Sequence, residues 1–521
     1  MEAAGSDDRI RLAQLMAALS LATDLGVGQP LQHELAVCLA ALELAGRLSC
    51  SQEECSEVYY VALVAHVGCT GAAPYFASWV GGDDVGFQRG AQQLGAVSQT
   101  TEDLRYFLTR FADDRPLPER VRLVARMLLG GQTRFELMGA NLCEGATLLA
   151  RRLHMPDAVA VALGQLLERW DGKGLPRGAG GEEISRSLRI VRVAQDLLAI
   201  ARARDPDTAI EALTRRRGHG HDPVVVDAAL AAPESLLQAA DVPDAWERVV
   251  DAEPQPVATI SGAGLEMVAR AFGEFADVKV DFMHGHSARV AELAATGAES
   301  LGCPRSEVAA VRAAGFFHDV GRVAVPNGIW DKPAALNAGE RERVRLHPYY
   351  TERVLEHSAV LAPLARVAGS HHERLDGSGY HRGATAAQLD VGARLLAAAD
   401  AYDAMTHDRP HRPALTSEKA GAELGEMVRA GALDKRATDA VLEAAGAAPL
   451  NVRQARPAGL SEREVEILRL LAQSRTTKEI ARMLTISEKT AGHHVEHIYA
   501  KTGVSTRVGA ALFAMQHDLI E

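Results

Sequence analysis

The sequence predicts an all-α protein, built as two tandem helical domains followed by a small helix-turn-helix domain. Three observations carry this. Apolar residues recur with a 3.6-residue period through most of the chain, with few strand-like alternations. The apolar 47% is dominated by Ala, Leu and Val, and aromatics make up only 5%, a balance that favours helix over strand. The chain also repeats itself internally. At 521 residues it is too long for a single core, so about three domains are expected.

The first domain is expected over residues 1–232. Residues 233–260, with APES, VPDA and AEPQPVAT, read as a Pro- and acid-rich linker. A second helical domain should occupy 261–447, a hinge 448–459 (APLNVRQARPAG), and the terminal module 460–521. Within the repeat, LATDLGVGQPLQHELAVCL at 21–39 lines up with EFADVKVDFMHGHSARVAEL at 274–293, which puts His33 opposite His286. Cys50 falls opposite Cys303. With a one-residue shift, His66 stands opposite His318 and Val67 opposite Asp319. ERWDGKGLP at 168–176 mirrors ERLDGSGYH at 373–381, which sets Leu166-Leu167 against His371-His372. Leu142 stands opposite His347 and Asp196 opposite Asp400. The first copy carries a long insertion around 80–130. It keeps only His33, His66 and Asp196, too few for two metals, and reads as a metal-free copy kept for dimerisation or ligand sensing.

Net charge is −12, which excludes a polycation that grips nucleic acid along its whole surface. The six cysteines (38, 50, 55, 69, 143, 303) form no CxxC pair, and free thiols in a reducing cytoplasm account for them better than a metal at Cys50, Cys55, His66 and Cys69. The start, MEAAGSDDRIR, lacks the features of a signal peptide, and no run approaches eighteen apolar residues. A cytoplasmic protein without a membrane partner is expected.

The second copy holds seven residues with the composition of a metal centre: His286, His318, Asp319, His347, His371, His372 and Asp400. Each lies where the local pattern predicts helix. Mixed imidazole and carboxylate donors suit manganese or iron, with zinc as an alternative. Two such ions can generate a hydroxide and neutralise a phosphate together. A single His on a helix is ordinarily a satisfied polar residue, so His284, His357, His381, His407 and His411 are left aside; the joint occurrence carries the argument.

The segment AVRAAGFFHDVGR at 310–322 resembles the core motif of the HD superfamily of metal-dependent phosphohydrolases. Residues 284–412 are similar to its HD-GYP branch, through HDVGR at 318–322, IWDKP at 329–333, LHP at 346–348, HHERLDGSGY at 371–380 and AAADAYDAMTHDRPHRP at 397–413. The resemblance implies that the seven residues ligate metal, with Asp319 bridging. It also implies that Asp319 and Arg322 take part in catalysis, and that Arg322, Asp376, Gly377, Gly379 and Tyr380 meet a phosphorylated nucleotide such as cyclic di-GMP. Three residues depart from the pattern: Arg322 for the usual Lys, His381 for the Pro of GYP, and Phe282 for the Glu of members with a third metal. Two divalent ions are therefore expected.

In residues 460–521, Ser461-x-x-Glu464 and Thr476-x-x-Glu479 are capping boxes and Ser487 is an N-cap, which marks three helix starts. The spacing over 477–501 has the dimensions of a helix-turn-helix. The block resembles the LuxR-type (GerE-like) DNA-binding domain through LSEREVEILRLLA, KEIA, ISEKT, HHVEHIYAK and GVSTR. That resemblance puts the helix from Glu488 to about Lys501 in the major groove of double-stranded DNA. Lys489, Thr490, His493, His494 and His497 would face it, and Lys501 and Arg507 the backbone. Gly492 stands where a basic residue is common. Eight basic and eight acidic residues leave the module near neutral, so a homodimer on paired half-sites is expected. The combined expectation is a DNA-binding regulator whose central domain hydrolyses or senses a nucleotide. The alternatives are an enzyme that uses the last module for dimerisation, and a regulator whose metal is structural.

Overall fold

The computed structural model describes residues 9–94, 131–238, 243–450, 457–517 and 519–520, with a few isolated positions between 116 and 125. Most of the first copy's insertion and residues 451–456 of the second hinge lie outside the described residues. The all-α expectation holds. Among the described residues the strands are two three-residue segments, Arg9–Arg11 and Thr259–Ser261, paired antiparallel with Ile10 opposite Ile260.

The chain forms two compact units: residues 1–289 with 313–369 and 409–412, and residues 290–312 with 370–408 and 413–521. In the first unit, helices Leu12–Gly26, Gln52–Val64 and Arg186–Ala203 bury Ala, Leu and Val almost completely. Gln52–Val64 starts on the capping box of Ser51 and Glu54. The stretch Gln52–Val80 contains an eighteen-residue window of mean hydropathy 1.2 and is long and apolar enough to cross a membrane by length and composition. Its most apolar window is 67% buried in the fold, as suits core helices. Residues 233–260 hold two short helices, Pro233–Gln238 and Ala245–Asp251, which bury Leu236, Trp246 and Val249. Glu253 beyond them takes bonds from Arg11 Nε (3.0 Å) and Tyr60 OH (2.8 Å).

The repeat is legible in the backbone. His33 and His286 open equivalent helices, as do Gln52 and Arg305, each pair 253 residues apart and ending at the same offset. Asp24 Oδ1 accepts from Glu34 N (3.2 Å), as Asp277 Oδ2 does from Ser287 N (3.0 Å). Glu168 Oε1 accepts from Arg177 N (2.8 Å), as Glu373 Oε1 does from Arg382 N (3.1 Å).

One sequence assignment is corrected. A Cβ on Gly68 would stand 2.1 Å from the Leu142 carbonyl, and one on Gly321 2.2 Å from the His347 carbonyl. These matched approaches, open only to glycine, keep the offset of 253 unbroken. Ala65 therefore stands opposite His318 and His66 opposite Asp319, without the one-residue shift. Matching His to His had imposed a gap that the two equally long helices do not contain.

In the second unit, helices Glu462–Ala472, Thr477–Met483, Glu488–Thr502 and Arg507–Gln516 enclose a core that includes Val465, Leu468, Leu471, Ile480 and Ile498. Both expected capping boxes are present, and Ser487 Oγ accepts from Thr490 N (3.0 Å).

Candidate metal centre and nucleic-acid interface

In the first unit four of the seven expected ligands converge. His286 opens its helix. His318 and Asp319 lie just past the end of Arg305–Phe317 rather than within a helix, and His347 opens the helix His347–Leu355. Leaving the helix is useful here, because a terminal side chain can serve carbonyls that the ladder no longer reaches. His318 Nδ1 donates to the Gly315 carbonyl at 2.7 Å and His347 Nδ1 to the Val344 carbonyl at 2.6 Å. In a neutral ring each Nε2 is then a lone-pair acceptor.

These Nε2 atoms stand 3.2 and 3.3 Å from Asp319 oxygens, and His286 Nε2 is 3.4 Å from Asp319 Oδ2 and 3.3 Å from His318 Nε2. All four residues are buried. Electron-rich atoms at that spacing repel unless a proton or cation lies among them. Imidazoles anchored from behind by carbonyls, facing a carboxylate, are the donor set of a transition-metal site. The residues fit such an ion.

Burial alone would raise the Asp319 carboxyl, but the Arg322 guanidinium at 2.8 Å and the adjacent imidazoles hold it well below the usual carboxylate range. Burial pushes His347 down, towards the neutral, ligating form. Arg322 also stacks 4.5 Å over Trp330 and donates to Met283 Sδ (3.0 Å), so its fork is held against Asp319. Phe282 packs under Arg409 at 5.2 Å.

The remaining three ligands lie in the second unit. His371 and His372 follow the helix Ala362–Gly369 in a turn, again outside the expected helix, with rings 4.3 Å apart. Asp400 lies within the helix Val391–Thr406, 3.7 Å from His372 Nδ1. The ring of Tyr380 is 4.4 Å from that of His372. Asp376 Oδ1 accepts from Ser378 N (3.0 Å) and Oγ (2.7 Å), Gly377 has φ +77°, and a Cβ on Gly379 would lie 2.5 Å from Glu373 Cα. Asp376, Gly377 and Gly379 thus shape the turn that presents Tyr380. Asp277 and Trp330 were missed as supporting residues. The repeat could have flagged Asp277, since Asp24 occupies the same place in the first copy.

The first copy has rebuilt its counterpart. Asp196 Oδ2 holds Arg216 (2.7 Å) and His221 (2.8 Å), and Glu34 holds His66 Nδ1 (2.9 Å). Arg202 donates to His33 Nδ1 at 2.7 Å, so the proton of a neutral His33 sits on Nε2, the reverse of His318. Burial lowers His66, but Glu34 outweighs it and favours the imidazolium. Side-chain cations meet the carboxylates here.

On the helix Glu488–Thr502, Lys489, Thr490, His493 and His497 are exposed and His494 is half-buried. Lys501 pairs with Glu464 at 2.7 Å and the Gly459 carbonyl at 3.2 Å, and Arg507 donates to the Ser474 carbonyl at 3.1 Å. Burial would raise Glu464, but Lys501 and Ser461 push it down to about 2.

The chain is similar to known proteins in both helical copies and in the terminal module. The HD domain family matches residues 142–225 and 270–436, one piece in each copy. The family described as bacterial regulatory proteins, luxR family, matches residues 458–514. A 3'3'-cGAMP-specific phosphodiesterase 3 of Vibrio cholerae is 29% identical over 418 residues, 80% of this chain and 90% of that protein. A cyclic di-GMP phosphodiesterase of Pseudomonas aeruginosa is 34% identical over 171 residues, 33% of this chain and 41% of that protein. The crystal structure of a cyclic GMP-AMP-specific phosphodiesterase of V. cholerae superposes with a TM-score of 0.59 at 26% identity, covering 84% of this chain and 98% of that one.

Proposed function

Since the chain is an HD-domain protein of the metal-dependent phosphohydrolase class with a LuxR-family module, we propose that it hydrolyses a cyclic dinucleotide and couples that nucleotide to DNA binding. The observation that carries the reading is the convergence of backbone-anchored His318 and His347 on Asp319 beside a fixed Arg322. His286, His318, Asp319, His347, His371, His372 and Asp400 would hold two divalent ions, manganese or iron first. Bound metal supplies a Lewis acid and a water of lowered pKa. The chain's own part is to fix the imidazole tautomers, to exclude water by burial, and to place Arg322 where a phosphate oxygen can share its fork with Asp319.

The relatives named for 3'3'-cGAMP and cyclic di-GMP support a cyclic dinucleotide as substrate, and Asp376, Gly377, Gly379 and Tyr380 would lie on the substrate side. Lys489, Thr490, His493, His494 and His497 would face base edges and phosphates, with Lys501 and Arg507 at the DNA backbone, in a cytoplasmic regulator. A second reading gives the last module to homodimerisation. It is favoured by Val508, Leu512 and Met515, exposed at helical spacing along one face of Arg507–Gln516.

Product chromatography of manganese-loaded protein with each dinucleotide tests the enzyme, beside Asp319→Ala. Gel shift of the full chain on random DNA tests the module. Hydrolysis lost in Asp319→Ala together with sequence-selective binding is the expected result. Turnover that survives in Asp319→Ala would refute the site, and failure to bind any DNA as a dimer would favour the second reading.

A further inference from the structure

The first copy has lost its metal donors, yet one of its turns is built into the segment that carries Trp330. The short helix Asn327–Trp330 begins with two backbone donors satisfied by the first copy: Asn327 N donates to Asp84 Oδ1 at 2.6 Å and Gly328 N to the Gly82 carbonyl at 2.8 Å. Asp84 is fully buried, and its other oxygen lies 2.5 Å from Lys279 Nζ. The Lys279 carbonyl in turn accepts from Asn327 Nδ2 at 2.6 Å. A Cβ on Gly82 would stand 2.7 Å from Gly328 Cα, and Gly82 has φ +102°, so only glycine permits this approach. At the other end of the helix, Trp330 packs under Arg322, which pairs with Asp319.

We propose that the Gly82–Asp84 turn is a clamp through which the first copy sets Arg322 against Asp319, with Asp84 as a positioning residue. The contacts run Asp84, Asn327, Trp330, Arg322, Asp319: Asn327 and Trp330 are the two ends of one short helix, and the other links are a hydrogen bond, a stacked ring and an ion pair. This accounts for a copy that keeps its packing while its ligands are gone. It rests on Asp319 being the hydrolytic centre.

Asp84 carries both a charge and a cap, and two double variants of the full chain separate them. Asp84→Asn with Lys279→Met removes the buried ion pair and keeps an acceptor for Asn327. Asp84→Leu with Lys279→Met removes both. The Leu double should lose turnover by roughly tenfold with bound metal unchanged, because displacements below an ångström at a reacting centre cost about that much. The Asn double should stay within about threefold of the wild type. Acrylamide quenching of Trp330, isolated by subtracting a Trp330→Phe partner of each variant, should rise only in the Leu double. Equal turnover and equal quenching in the two doubles would overturn the clamp. If the wild type hydrolyses no cyclic dinucleotide, the proposed function fails, and the quenching comparison alone decides the clamp.

Discussion

Gly321→Ala is the sharpest perturbation the geometry offers. The added methyl would stand 2.2 Å from the His347 carbonyl, 2.4 Å from Thr351 N and 2.8 Å from Tyr350 Cβ. Carbon and oxygen need about 3.2 Å or more, so the segment at 347–351 must retreat by roughly 1 Å. Two bonds are threatened: Gly321 N to Thr351 Oγ1 (2.9 Å) and Thr351 Oγ1 to the His318 carbonyl (2.8 Å). At about 1 kcal/mol for each bond and 1–3 kcal/mol for overpacking, the loss is about 3–5 kcal/mol. Melting should fall by roughly 5 °C for a unit of this size. The retreat carries His347 away from Asp319, so hydrolysis by the folded protein should drop about a hundredfold. Gly68→Ala is the control. It meets the Leu142 carbonyl at 2.1 Å in the first copy and should lower melting by a similar amount, with a far smaller effect on turnover. Differential scanning fluorimetry and dinucleotide hydrolysis on the same samples decide it. A Gly321→Ala protein that melts and turns over like the wild type would refute the reasoning.

Further outcomes follow from the other buried contacts. Arg216→Met leaves Asp196 buried with one cation fewer and should cost about 3–5 kcal/mol in denaturant unfolding, with bound metal unchanged by elemental analysis. Glu464 is held at about 2 against an ordinary 4.5, so its contribution to the terminal module is fully present above 4.5 and is lost as pH falls through 2. Lys501→Met removes the main partner, and circular dichroism should show acid unfolding of that module at higher pH than in the wild type. Lys489→Ala should weaken DNA binding and reduce the slope of log affinity against log salt by about 1 in a titrated gel shift.

Much of this was open to sequence reasoning, for physical reasons. Helical periodicity and the capping boxes are local signals, and the caps at Ser461 and Thr476 formed as expected. Three of the expected ligands came together around Asp319 because the motif spacing places them at helix ends. The Asp319–Arg322 contact was within reach, since the two residues are three apart. What escaped were long-range facts. That Lys501 is drawn into an ion pair with Glu464, 37 residues away, depends on how three helices pack. The register of the repeat was hidden because His66 resembles His318 chemically while the backbone equates it with Asp319. Gly68 and Gly321, whose neighbours fix that register, carry no chemistry that a motif search would notice. Asp84 and Asn327 are separated by 243 residues, and no local pattern links them.

The most direct measurement is of bound metal and cyclic-dinucleotide hydrolysis on the same samples of wild type and Asp319→Ala, stripped of metal and reloaded with manganese. Two ions per chain and turnover of 3'3'-cGAMP or cyclic di-GMP are expected in the wild type, with metal reduced and turnover abolished in the variant. Hydrolysis by Asp319→Ala at the wild-type rate, or a metal-loaded wild type that hydrolyses neither dinucleotide, would contradict that expectation.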